Sequence, residues 1–166
     1  MDTFAILLSC MYEKDYEIIR RSNIYSDCVI INQCNENSKK RITIDNNKVC
    51  LWVNTPERGL SKSRNLAIDN SSSDICLIAD DDEIFVNNID NIILKAYRKI
   101  PQADIIVFDI KNYQKNIRNK IFKFNRLQLL RVSSVQITFK KKAIKDNNIK
   151  FDVKLGAGTG NGAGEE

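Results

Sequence analysis

The chain has 166 residues and a formal charge of +5, a size that suits one domain. It contains no histidine, which excludes Ser-His-Asp and Cys-His relays, an imidazole general base and the zinc sites that mix Cys with His. Acid–base chemistry must therefore fall to carboxylates, Lys, Tyr or Cys.

Phe4-Ala5-Ile6-Leu7-Leu8 is a continuous apolar run rather than an alternating one, as expected for a strand covered on both faces. Glu13 to Arg21 follows as a short helix carrying Ile18 and Ile19. Cys28 to Ile31 and Val49 to Val53 read as further strands. Ser61 to Asp69 is a second helix, with Leu60, Ala67 and Ile68 as its apolar contacts. Ser71-Ser72-Ser73-Asp74 then forms a loop into the strand Ile75 to Ile78. The clearest helix is Asn88 to Ile100, where Ile89, Ile92, Ile93, Ala96, Tyr97 and Ile100 recur at helical spacing until Pro101 stops it. Ile105 to Phe108 is another apolar run, and the partly alternating stretch from Tyr113 to Asn125 predicts an antiparallel addition to the sheet. Repeated β-α units predict an α/β fold with a mostly parallel sheet between helix layers and right-handed crossovers. One domain, residues 1–166, is expected, with the glycine-rich end from Gly156 to Glu166 flexible.

The five cysteines, Cys10, Cys28, Cys34, Cys50 and Cys76, contain no C-x-x-C pair and mostly sit beside apolar runs. They read as buried free thiols in a reducing cytosol. There is no signal-peptide pattern and no apolar segment of about 18 residues, so a cytoplasmic protein is expected. Lysines gather late, at Lys140, Lys141, Lys142, Lys145, Lys150 and Lys154. This run reads either as a solvated face or as an attraction for something anionic, such as a phosphorylated ligand or the headgroups at the inner face of a membrane. A nucleic-acid partner is disfavoured, because no helix-turn-helix or RNA-recognition signature is present and an acidic cluster at the cleft repels phosphates.

That cluster is Asp80-Asp81-Asp82-Glu83, directly after the apolar strand Ile75 to Ala79. In a parallel sheet, ligands bind outside the carboxyl ends of the strands, so this is where functional residues belong. Adjacent acids repel one another and call for a compensating cation. On an extended backbone Asp80 and Asp82 point to one side and Asp81 away. One carboxylate can then hold Mg²⁺ or Mn²⁺, while the other accepts from a ribose or sugar hydroxyl. The plainer alternative is a solvated turn that caps the next helix. Upstream, Glu57-Arg58-Gly59-Leu60-Ser61-Lys62-Ser63-Arg64-Asn65 runs from a strand through a glycine turn into a helix. Gly59 frees backbone N–H groups to face an anion, and Arg64 carries a guanidinium suited to phosphate or base recognition.

The pattern E-R-G-L-S-K-S-R-N, followed by I-C-L-I-A-D-D-D-E, by Phe151-Asp152-x-x-Leu155-Gly156-x-Gly158 and by Gly164-Glu165-Glu166, resembles family 2 glycosyltransferases of the GT-A fold. The resemblance implies a Rossmann-like three-layer α/β/α sandwich with a mostly parallel central sheet. It also implies metal-dependent, inverting transfer of a sugar from a nucleotide-sugar to an acceptor hydroxyl, in bacterial polysaccharide or glycan synthesis. Position by position, Ser9-Cys10-Met11 matches the place that contacts the uracil of a UDP-sugar, and Asn32 with Gln33 is a further base-contacting position. Arg64 matches the arginine that reaches the nucleotide. Asp80, with Asp81 beside it, matches the donor-side acid near the ribose. Asp82 matches the ligand of the divalent metal. Glu166 stands in the place of the catalytic base, and Glu165 beside it is the other candidate. The implied partners are a nucleotide-sugar donor and a glycan or lipid-linked acceptor. The chain stops at Glu166, and a donor-binding part of a longer enzyme is expected.

Without the resemblance, two other classes stay open: a sugar-nucleotide-binding module without catalysis, and a basic nucleic-acid-binding domain. Hydrolysis of a glycoside by two carboxylates needs no nucleotide site, and the R-N and D-D-D pairing argues against it.

Overall fold

The computed structural model describes residues 2–110, 121, 123, 125 and 132–155. Its strands are β1 (Phe4–Met11), β2 (Cys28–Gln33), β3 (Ser38–Ile44), β4 (Lys48–Thr55), β5 (Ile75–Asp80), β6 (Ile105–Val107) and β7 (Ile137–Lys140). The helices are α1 (Glu17–Arg21), α2 (Leu60–Asn70), α3 (Ile89–Lys99) and α4 (Lys141–Asp146). The strands form one sheet in the order β3-β4-β2-β1-β5-β7-β6. β4, β2, β1 and β5 are mutually parallel, whereas β3 pairs antiparallel with β4, and β7 antiparallel with β5 and β6.

The parallel core follows from the continuous apolar runs. Odd and even residues of one strand enter opposite cores, so neither face tolerates polar residues. Ile6, Leu8, Cys28, Ile30, Trp52, Leu77 and Ala79 pack with Ile18 and Ile19 of α1 and Ile93 and Tyr97 of α3. Leu7, Val29, Ile31, Leu51, Val53 and Ile78 pack on the other face with Ala67 of α2 and Ile144 of α4. Helices therefore cover both faces of a mixed α/β sheet whose centre is parallel. Four of the cysteines are buried, Cys34 is partly buried, and all five are free thiols. Burial raises the Cys76 thiol to about 11 and is the leading cause of the upward shift at Cys10.

Three elements differ from expectation. The predicted helix over 13–21 is confined to Glu17–Arg21, because the backbone of Glu13 is held by Asn32 instead. β3 was not expected from its sequence, S-K-K-R-I-T-I, since it is an edge strand that is half exposed; its lysines and arginine are typical guards of a sheet edge. The apolar run from Ile105 does not join the parallel strands: its partner is β7, antiparallel to it, which separates it from β5. Most of the predicted antiparallel stretch at 113–125 lies outside the described residues.

The chain leaves β1 to build β2 and β4 on one side, then returns to place β5 on the other. This reversal opens a crevice over the carboxyl ends of β1 and β5, the usual place for a ligand in such sheets.

Candidate functional site

Two registers bring the central residues together. Ser9 of β1 lies opposite Asp80 of β5, and the early part of α2, which covers one face of the sheet, reaches the same end. The Ser63 hydroxyl donates to Ser9 Oγ at 2.8 Å. One residue further along α2, Arg64 donates from Nη2 to both Asp80 carboxylate oxygens, at 3.1 and 3.2 Å. The Arg64 side chain is 2% exposed and that of Asp80 29%. The Nε and Nη1 groups of Arg64 are buried and have no hydrogen-bond partner among the described residues. Its guanidinium lies over the Phe151 ring, 5.5 Å from the centroid. A buried guanidinium with donors left over is costly unless something anionic completes it.

The acidic run folds differently from the extended arrangement expected for it. β5 ends at Asp80, and Asp81 and Asp82 form an exposed turn. The Asp80 backbone N–H donates to Glu83 Oε2 at 2.8 Å. The extended backbone on which Asp80 and Asp82 were expected to share a side therefore ends at Asp80. Burial pushes the Asp80 carboxyl up, and the Arg64 guanidinium acts against that shift. Burial, with Asp80 and Asp82 nearby, raises Glu83 to about 8. Among the described residues the site carries more acid than base: Arg64 pairs with Asp80, and Arg21, which already pairs with Glu13, is near enough to interact with Asp81.

Hard oxygen donors in an exposed turn suit Mg²⁺ or Mn²⁺. Among the described residues no group of three or more His, Cys, Asp or Glu side chains gathers as a ligand set. Asp82, with Asp81 beside it, could therefore hold such an ion only with water or ligand oxygens completing its shell, a habit of Mg²⁺.

The loops beside this centre are cross-braced. Cys10 is buried, and its thiol faces the Ile31 carbonyl at 3.6 Å, so its side chain points into the core rather than out of the crevice. Met11 and Tyr12 at the end of β1 are 48% and 57% exposed. Asn32 holds the backbone of Glu13 at both ends, accepting from its N–H at 3.0 Å and donating to its carbonyl at 2.9 Å. Gln33 is buried too, and its Oε1 accepts from the Gly59 N–H at 2.8 Å. Gly59 has φ 118 and ψ 130, a conformation that needs glycine. One backbone N–H that the sequence offered to an anion is therefore already used inside the protein.

Arg58 was not singled out from the sequence. Its Nη1 donates to the carbonyls of Cys34 and Pro56 at 3.0 and 2.8 Å, and its Nη2 to Asn35 Oδ1 at 2.8 Å and the Tyr12 hydroxyl at 3.2 Å. Its guanidinium also lies 5.1 Å from the Tyr12 ring centroid. It ties together the loops after β1, β2 and β4, and its place next to the turn glycine was the only signal. Of the expected site residues, the structure gathers Ser9, Gly59, Arg64, Asp80, Asp81 and Asp82 near the carboxyl ends of the parallel strands, with Met11 exposed at the end of β1. Glu165 and Glu166 lie outside the described residues.

No protein-family model and no curated protein matches the chain. Solved structures do. S. aureus TarS 1-349 superposes with a TM-score of 0.65 at 16% identity, covering 95% of this chain and 52% of that one. The same protein in complex with UDP matches at 0.65 and 15% identity, over 96% and 53%. Its complex with UDP-GlcNAc matches at 0.65 and 16%, over 96% and 51%. The chain therefore spans about half the length of these structures, and the mixed α/β fold is one it shares with S. aureus TarS.

Proposed function

We propose that this chain binds the nucleotide of a sugar-nucleotide donor, a UDP-sugar, as the donor-binding part of a GT-A glycosyltransferase of family 2. The observation that carries the reading is the Arg64–Asp80 centre: a buried guanidinium, incompletely partnered, at the switch point of the sheet. That TarS, which shares the fold, has been solved with UDP and with UDP-GlcNAc supports the choice of ligand.

Arg64 meets the diphosphate through the donors it has left over, and Asp80 keeps its guanidinium in place while accepting from a ribose hydroxyl. Asp82 would hold Mg²⁺ or Mn²⁺, an ion that would supply charge neutralisation at the diphosphate. Met11 and Tyr12 line the base end. Glu166, or Glu165 beside it, takes the proton from the acceptor hydroxyl as that oxygen attacks the anomeric carbon from the face opposite the departing UDP, which inverts the centre. The acceptor is a glycan or a lipid-linked sugar.

Calorimetry with UDP, with and without Mn²⁺, tests the donor site. Arg64→Ala is expected to weaken UDP binding by a factor of about 10 to 100, the loss of a charge-assisted hydrogen bond or two. Asp82→Ala is expected to remove only the gain due to Mn²⁺, with melting unchanged because the side chain is exposed. Equal UDP affinity in wild type and Arg64→Ala would refute the site. A second reading is a sugar-nucleotide-binding module without transfer, for which the Arg64–Asp80 centre alone suffices. Binding with no transfer from a labelled UDP-sugar would favour it.

A further inference from the structure

Arg64 and Asn65 are consecutive in α2, and both reach the segment that follows α4. The Asn65 side chain donates from Nδ2 to the Phe151 carbonyl at 2.9 Å and accepts the Phe151 N–H at Oδ1, also at 2.9 Å. A single side-chain amide thus holds both backbone polar groups of a residue 86 positions away. The Ser61 hydroxyl adds a bond to the Leu155 carbonyl at 3.0 Å. With its backbone fixed, Phe151 lays its ring over the Arg64 guanidinium, 5.5 Å from Cζ to the centroid, and also packs on the core under α2.

The two restraints on Arg64 are complementary. Asp80 holds one end of the guanidinium within its plane, through Nη2. The aromatic face restricts the plane itself. Arginine has a long stem with much rotamer entropy to lose, and a planar donor set recognises an anion well only when its plane is set beforehand. We infer that Phe151, seated by Asn65, is a positioning residue for Arg64: it fixes the guanidinium plane and thereby couples the segment after α4 to the anion site. The inference rests on reading Arg64 as the nucleotide-binding arginine.

The test uses the whole chain and two readouts. One is the NMR signal of the Arg64 Nε–H, identified by its loss in Arg64→Lys; the other is UDP affinity by calorimetry. Phe151→Leu keeps apolar volume but removes the aromatic face. It is expected to speed solvent exchange of the Nε–H by about tenfold or more and to weaken UDP binding by about three- to thirtyfold, the range of a cation–π contact. Phe151→Tyr is expected to restore both. If Phe151→Leu does not fold, Asn65→Asp, which keeps the acceptor and loses the donor, is expected to move both readouts the same way. An unchanged Nε–H signal overturns the inference, as does an altered signal with unchanged affinity in a protein that binds UDP. Should the wild type not bind UDP at all, the nucleotide reading fails, and the Nε–H signal alone decides whether Phe151 positions Arg64.

Discussion

Arg64 and Asp80 are unequal partners, and the inequality shows what the pair is for. The arginine is almost wholly buried while the carboxylate is partly open to solvent, so losing either leaves a very different residue behind. Asp80→Ala strands a buried cation and is expected to destabilise the fold by about 2–4 kcal/mol, somewhat under the range for a fully buried pair. Arg64→Met leaves a carboxylate that water can reach and is expected to cost at most about 1 kcal/mol. Urea unfolding of both variants measures the difference. Equal losses would mean that the pair is structural. At this scale the sequence was readable where type and position coincide: an arginine one turn into a helix, and an acid ending an apolar strand. Cys10 and Gln33 were not readable in the same way. The apolar runs mark β1 and β2 only to Leu8 and Ile31, while the strands continue to Met11 and Gln33. That continuation sends Cys10 into the core and turns Gln33 onto Gly59.

Among the elements, the parallel strands and the two longer helices could be read because burial on both faces and helical spacing leave strong patterns. The antiparallel additions could not. β7 is short, and nothing local in Ile137–Lys140 says that it will enter the sheet beside β5. The acidic turn was open from the sequence only as the plainer alternative, because the contact of the Glu83 carboxylate with the Asp80 N–H is one that spacing does not reveal. The start of β5 carries its own tie: Thr3 donates to Asp74 through N and Oγ1, each at 2.9 Å, and these bonds hold the Asp74 carboxyl below its ordinary value. A carboxyl whose folded value is depressed stabilises above its unfolded pKa and loses that contribution as pH falls through the folded value. Asp74→Asn is therefore expected to lower the melting temperature at pH 7, with the gap to wild type closing below about pH 4. A gap that persists unchanged to low pH would show that charge plays no part in this tie.

In the whole molecule, β-α order places the reversal of the sheet between β1 and β5, and the acidic turn, the buried arginine and the exposed end of β1 meet there. The cleft over α2 and α4, of about 300 Å³, is lined by Lys141, Lys145 and Lys150 on a helical face of the sheet. It is thus separate from the acidic turn, and the late lysines do not explain that turn. No helix among the described residues is long and apolar enough to cross a membrane. Binding of a nucleoside diphosphate in the crevice, with the help of a divalent cation, is the proposal that stability can test. A ligand that binds only the folded state raises its stability by about 2.7 kcal/mol at a hundred times its dissociation constant. The most direct measurement is thus a thermal-shift series with UDP, UDP-sugars and other nucleotides, each with and without Mn²⁺. The expected result is a rise in melting temperature with UDP that grows when Mn²⁺ is present and shrinks in Arg64→Ala. No rise with any nucleotide at millimolar concentration, or a rise that Arg64→Ala leaves intact, would contradict it.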